Sequence, residues 1–143
     1  MAITTATIRG FSGAHHAELN GAAISPSGQS VLGAARLATT SPRALSTERL
    51  VDFDRLADQV AVTNYGGDCH NYALLAAGHI DLVMEDILAA HDMMAVVALM
   101  LAAGATVIDL DGPPIHLGQS TSILAAATPQ FHQPAFALIS TRS

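Results

Sequence analysis

The sequence predicts an α/β fold, and three observations carry that expectation. Short β-leaning stretches alternate with longer ones whose apolar residues recur at helical spacing, and most of the changes fall at glycine or proline. Half of the 143 residues are hydrophobic and only 13% are charged, enough to bury a sizeable core. The chain is most economically one domain, with residues 1–30 forming a small hairpin and residues 31–143 the α/β body.

Residues 1–30 are broken by Gly10, Gly13, Gly21 and Gly28. Asn20-Gly21 suits a type I′ turn because both residues tolerate positive φ, so a two-stranded antiparallel hairpin is expected there. Its strands lie near Thr5–Arg9 or His15–Leu19 and at Ala22–Ser25. It has little of its own to pack against, and two strands alone are marginal in water, so it reads as part of a larger sheet. Pro26-Ser27-Gly28 is a linker. Val31–Thr39 is a predicted strand ended by Thr40-Ser41-Pro42. Ser46 caps the following helix, with Glu48 near its positive end. Leu50, Phe53, Leu56 or Ala57, and Val60 give that helix one buried face, while Asp52, Asp54, Arg55 and Asp58 read as solvated. Val60–Tyr65 is a short strand.

The stretch from Gly66 to Gly112 organises the rest of the chain. Asp68–Ala77 is a predicted helix stopped by Gly78. His79–Glu85 alternates, with Ile80, Leu82 and Met84 on one side and His79, Asp81, Val83 and Glu85 on the other, a strand with one face more buried. Asp92–Ala103 is apolar nearly all round, so this helix should lie between layers, and Gly104 ends it. Thr106–Leu110 is the next strand, turned by Asp111-Gly112-Pro113-Pro114, and Ser122–Ala127 is the last. Thr128-Pro129 opens the final helix, which Pro134 kinks or delays.

Composition excludes several classes. A net charge of −6, with six scattered arginines and no lysine, argues against a nucleic-acid or anionic-membrane surface. Cys69 is the single cysteine, so no internal disulfide can form, which fits a reducing cytoplasm. The N-terminus lacks a secretory pattern, and the longest apolar run, Met93–Ala103, is too short to span a bilayer. A cytoplasmic location is therefore expected.

The polar chemistry of the organising stretch sits at its turns. Asp92 reads first as a helix N-cap, and its second carboxylate oxygen stays free for a hard cation such as Mg²⁺. Glu85, at a strand end, is either an exposed charge or a group that recognises a substrate hydroxyl or amine. Gly66-Gly67 is either a simple turn or a place where a backbone N–H approaches a ligand. Two helix N-termini lie nearby, a setting that suits phosphate or carboxylate. The seven histidines show no zinc spacing, and Cys69 and His70, adjacent on a helix, do not face each other. Asp109 and Asp111 read first as turn residues. There is no P-loop, G-x-S-x-G or G-x-G-x-x-G motif.

YGGDCHNYALLAAGHIDLVMED followed by HDMMAVVALMLAAGATVIDLDGPP resembles the C-terminal half of the inositol monophosphatase family. With Thr39-Thr40-Ser41-Pro42 upstream, the likeness is closest to its histidinol-phosphate phosphatase branch. It covers roughly Leu37–Ala137 well and the Asn20-Gly21 hairpin loosely. The resemblance implies the C-terminal α/β layer of the sugar-phosphatase fold with a partial N-terminal β-hairpin. It also implies a Mg²⁺-dependent phosphomonoesterase that activates water with clustered metal ions. Asp92 falls on the family's C-terminal metal-ligand aspartate, preceded here by His91 instead of Trp or Tyr. Gly66, Gly67 and Asp68 fall on the loop that meets the non-phosphate part of the substrate. Glu85 falls on the acidic position that contacts substrate hydroxyl or amino groups, and would pair with the ammonium of histidinol phosphate.

The family's other metal ligands come from a Glu-Glu motif and an Asp-Pro-x-Asp-Gly-Thr motif, and neither occurs in these 143 residues. Its usual glutamate before Ala-Gly-Gly is also changed, to Ala102-Ala103-Gly104-Ala105. The expectation is the substrate-recognising half of an enzyme, incomplete alone, with a small phosphorylated metabolite as ligand. Completion would come from a missing N-terminal half or a homo-oligomer. The alternative is a non-catalytic binding or assembly module of the same descent. An uncovered apolar sheet face would drive self-association.

Overall fold

The structure, a computed structural model, describes residues 7–11, 16–112, 115–116 and 121–139. Three short strands come first: β1 (Ile8–Phe11), β2 (His16–Leu19) and β3 (Ala22–Ile24). They form one antiparallel sheet in the order β1-β2-β3, so both candidate strands before the turn are used and the hairpin is three-stranded. Thr5 and His15 lie outside the described residues. Asn20 (φ 52°) and Gly21 (φ 82°) make the left-handed turn expected of them.

The body comprises β4 (Arg36–Thr39), α1 (Thr47–Ala57), β5 (Val62–Tyr65), α2 (His70–Ala76), β6 (Leu82–Glu85), α3 (Ala90–Ala103), β7 (Thr106–Asp109), β8 (Ile123–Ala126) and α4 (His132–Ile139). Its sheet has the order β5-β4-β6-β8-β7. β4 pairs in parallel with β5 and β6, while β8 runs antiparallel to both β6 and β7. Alternate residues feed two cores. Leu37, Leu82, Met84 and Leu124 pack with Phe53 and Leu56 of α1 and Ala135 and Ile139 of α4. Ala38, Val83, Ile123 and Ala125 pack with α2 and α3. The small sheet then covers part of α3, with Ile8, Ala17 and Ile24 in the same cluster. Gly10 permits that approach, because a Cβ there would stand 2.9 Å from Ala102 Cβ. The hairpin, which has little of its own to pack against, thus finds a partner in α3.

Local signals set several boundaries as expected. Ser46 Oγ accepts from the Arg49 N–H at 3.3 Å and caps α1. Gly78 (φ 83°) and Gly104 (φ 89°) take the left-handed conformation after α2 and α3. Pro129 opens a 3-10 turn, Pro129–Phe131, that leads into α4, so Pro134 falls in the first turn of the α-helix and its missing N–H costs little.

Other expectations are corrected. The strand expected from Val31 begins only at Arg36, after a 3-10 turn at Leu32–Ala34. Buried Asp81 accepts the Arg36 N–H at 2.8 Å and the Arg36 Nε at 2.9 Å, fixing that start. Asp52 is not solvated; it is 2% exposed and accepts from Arg49 Nη1 at 2.9 Å. All four residues of β6 are buried, because the strand is central in a sheet covered on both faces. α2 begins at His70, two residues after the expected start, since Asp68 holds φ 48°. α3 is not enclosed all round: Met94 and Leu101 are exposed on its outer side. Asp92 does not cap it; Ala89 occupies the N-cap, and Asp92 stands in the first turn. No helix among the described residues is long and apolar enough to cross a membrane.

Candidate functional site

β4, β5, β6 and β7 present their carboxyl ends at one edge of the sheet. From β4 the chain passes through α1 outward to β5, then through α2 back across to β6 on the other side of β4. The order of connection reverses there. In open α/β sheets the crevice at such a reversal, beyond the carboxyl ends of the strands, is the usual place for a ligand.

Glu85 stands at this crevice. Its Oε1 accepts from the Thr40 N–H and the Thr40 hydroxyl, each at 2.7 Å, so the ends of β4 and β6 are joined through its carboxyl. Glu85 is 5% exposed, which corrects the reading of an exposed strand-end charge. Burial raises its pKa, the Thr40 hydrogen bonds partly offset that, and the charge of Asp68 adds to the rise. The Thr39 hydroxyl also favours the charged carboxyl, though outside hydrogen-bond geometry.

The Gly66-Gly67-Asp68 loop lies beside this carboxyl. The Gly66 N–H is shared between the carbonyls of Thr40 at 2.9 Å and Thr39 at 3.2 Å, tying the loop to the end of β4. Asn71 Nδ2 donates to the Gly66 carbonyl at 2.9 Å, tying it also to the first turn of α2. Gly67 holds φ 99°, and a Cβ there would stand 2.5 Å from Asn71 Oδ1, so only glycine fits. Of the expected site residues, Gly66, Gly67, Asp68 and Glu85 are therefore gathered at one place.

Asp92 is not joined to them by any hydrogen bond or ion pair among the described residues. Its side chain is 61% exposed, with His91 Nε2 at 3.5 Å. No group of three or more His, Cys, Asp or Glu among the described residues could hold a metal ion. Mg²⁺ takes six oxygen ligands in near-octahedral geometry, and one exposed carboxylate does not make such a site. These residues alone do not fit the ion.

Sequence reasoning missed three contributors. Thr40 reads as the end of a strand, and only its partner across the crevice gives it a role. Asn71 reads as an ordinary residue of a helix. Asp86 reads with Glu85 as the close of a strand, yet it accepts from the Ser46 N–H at 3.0 Å, the Ile87 N–H at 2.8 Å and the Ser122 hydroxyl. Ile87, next in the chain, is held at φ 56°, rare for a β-branched residue. The Cys69 and His70 side chains are exposed, and His16 bonds Glu18 at 2.8 Å. Asp109 accepts the Asp111 N–H at 2.8 Å, the turn expected of this pair; Pro113 and Pro114 lie outside the described residues.

A sequence model described as Inositol monophosphatase family matches residues 5–142. The "Bifunctional phosphatase IMPL2, chloroplastic" of Arabidopsis thaliana is 38% identical over 125 residues, covering 82% of this chain and 36% of that protein. An inositol monophosphatase from Zymomonas mobilis superposes with a TM-score of 0.88 at 32% identity, covering 94% of this chain and 53% of that one. One from Anabaena (Nostoc) shares the fold, with a TM-score of 0.82 at 23% identity, covering 96% of this chain and 55% of that one. The chain thus spans about half the length of these solved structures and little more than a third of the Arabidopsis protein. With family model, relatives and fold in agreement, the chain belongs to the inositol monophosphatase family.

Proposed function

We propose that this chain is the substrate-recognising half of a Mg²⁺-dependent phosphate monoester hydrolase, acting on histidinol phosphate or an inositol phosphate. The observation that carries this reading is the crevice between β4 and β6, where Thr40 anchors Glu85 and the Gly66–Asp68 loop closes one side. A carboxyl fixed through one oxygen keeps the other for a ligand, either as a charged partner for an ammonium or as an acceptor for a hydroxyl. Asp68 adds negative charge beside it, which favours a cationic head group and the histidinol-phosphate branch. Gly66 and Gly67 carry no side chain, so the non-phosphate part of a substrate can lie against the backbone.

Asp92 is the carboxylate this half would bring to the metal. The remaining donors would come from the other half of the family's fold, in the same polypeptide or a partner chain. A second reading, a ligand-binding module without catalysis, is favoured by the solitary position of Asp92.

Phosphate release from histidinol phosphate and inositol phosphate, with and without Mg²⁺, separates the two readings. Metal-dependent turnover abolished by Asp92→Asn and weakened by Glu85→Gln is the expected result for the hydrolase. Binding without turnover would leave the module, and a folded chain that binds neither ester would overturn both.

A further inference from the structure

We propose that Ile87 is a specificity-determining residue: held in the left-handed conformation beyond the end of β6, it lays its apolar side chain against the carbon skeleton of the ligand whose head group Glu85 receives. Ile87 holds φ 56°, and the other non-glycine residues at positive φ among the described residues are Asn20 and Asp68. Short polar side chains tolerate that conformation, whereas a β-branched one crowds its own backbone there. Burial does not offset the strain. Ile87 is 70% exposed, more than any other large hydrophobic residue among those described. Asparagine or glycine would hold the same turn with less strain and leave no large apolar surface in water, so the fold of this chain does not account for isoleucine.

The conformation is imposed from both sides. The Ile87 N–H donates to Asp86 Oδ1 at 2.8 Å, and the same carboxylate accepts the Ser46 N–H at 3.0 Å and the Ser122 hydroxyl. The Leu88 N–H donates to the Thr121 carbonyl at 2.9 Å, and the Leu88 side chain packs against the core shared by α2 and α3. Backbone strain held in this way gathers at ligand sites, and the position of Ile87 gives the reason for it here. Its Cα lies within about 7.6 Å of that of Glu85, the reach of two residues. That is the edge where Thr40 fixes the Glu85 carboxyl. The loop leads directly into the first turn of α3, which carries Asp92. Ile87 thus stands in the chain between the carboxyl proposed for the head group and the one proposed for the metal. Ligand sites combine a few polar groups with apolar walls, and Thr40, Gly66, Gly67, Asp68, Glu85 and Asp92 provide no such wall. Ile87 provides it. This contact rests on the function proposed above.

The test compares the full chain with Ile87→Gly, Ile87→Asn and Ile87→Val by heat unfolding and by calorimetric binding of two esters. One is histidinol phosphate; the other is 2-aminoethyl phosphate, which keeps the ammonium and the phosphate but has no ring. The glycine and asparagine variants should unfold at or above the temperature of the parent. They should bind histidinol phosphate about tenfold more weakly and 2-aminoethyl phosphate as the parent does. Ile87→Val, as strained but still apolar, should stay within about threefold of the parent for both. Unchanged affinity for histidinol phosphate in the glycine and asparagine variants, an equal loss for both esters, or lowered heat stability in both variants overturns the proposal. A parent that binds neither ester refutes the function proposed above, and the contact falls with it. A parent that binds both, beside variants that bind equally well, refutes the contact alone.

Discussion

Asp86→Asn tests how the edge that carries the site is held together. Asp86 Oδ1 takes the Ile87 N–H and the Ser122 hydroxyl, and Oδ2 takes the Ser46 N–H, so one carboxylate joins the end of β6, the start of β8 and the cap of α1. Asparagine is nearly isosteric but offers one oxygen. In either orientation its NH₂ faces a backbone N–H, and that donor loses its acceptor in a site 9% exposed. Losing one charge-assisted bond and weakening the others costs about 2–4 kcal/mol. Ser122→Ala, which spares both N–H bonds, costs about 1 kcal/mol. Burial works to raise the pKa of Asp86, but the bonds from Ser122, Ser46 and Ile87 outweigh it and hold the carboxyl below its ordinary value. A depressed carboxyl contributes its stability above its unfolded pKa, about 3.9, and loses it as pH falls through the folded value. Urea unfolding of both proteins should therefore show the full gap from pH 7 to about 5 and a narrowing gap below about 4. A gap under about 1 kcal/mol at pH 7, or one unchanged below about pH 3, would refute the reasoning.

Glu85→Gln keeps an oxygen for Thr40 while removing a buried charge. Because burial raises the folded pKa of Glu85, its ionisation opposes folding as pH climbs above the unfolded value of about 4.3. The variant should be at least as stable as the parent at pH 7, with the difference closing below about pH 4; a lower urea midpoint at pH 7 would contradict this. Asp52→Ala strips buried Arg49 of its buried partner and leaves it, among the described residues, only Asp111, whose side chain is 67% exposed. It should cost about 3–5 kcal/mol in urea unfolding, and a loss under about 1 would show that the pair is dispensable. Met94 and Leu101 are 54% and 52% exposed on α3, so the chain is expected to self-associate as its concentration rises. Met94→Lys with Leu101→Lys should abolish that in light scattering, and a monodisperse parent at high concentration would remove the premise.

The family assignment is legible because the resemblance lies in the string itself, in the stretch that holds Gly66-Gly67-Asp68, Glu85 and Asp92, and the family model matches residues 5–142. The assignment does not extend to chemistry. Asp92 is one exposed carboxylate, and what it would bind depends on donors outside these residues.

What the sequence determined by itself is what local stereochemistry decides. The alternation of strands and helices, the Asn20-Gly21 turn, the Ser46 cap and the glycine stops at Gly78 and Gly104 each depend on a few neighbouring residues, and each is present. Asp92 shows where the local rule fails. α3 starts two residues earlier than expected, after the Leu88 N–H bonds the Thr121 carbonyl at 2.9 Å and Ala89 takes an extended conformation. The tertiary structure alone decided which polar groups are buried and with whom. Asp52 follows the spacing of a solvated face yet is buried against Arg49, and the surface of Asp111 closes over that pair only because β7 ends beside α1. Thr40 and Glu85 are 45 residues apart in sequence, and so are Arg36 and Asp81. Such pairs leave no local trace, because a carboxylate obeys the same propensities whether its partner is water or a distant hydroxyl. The difference is made by the crossover that sets β4 beside β6, since it removes the water.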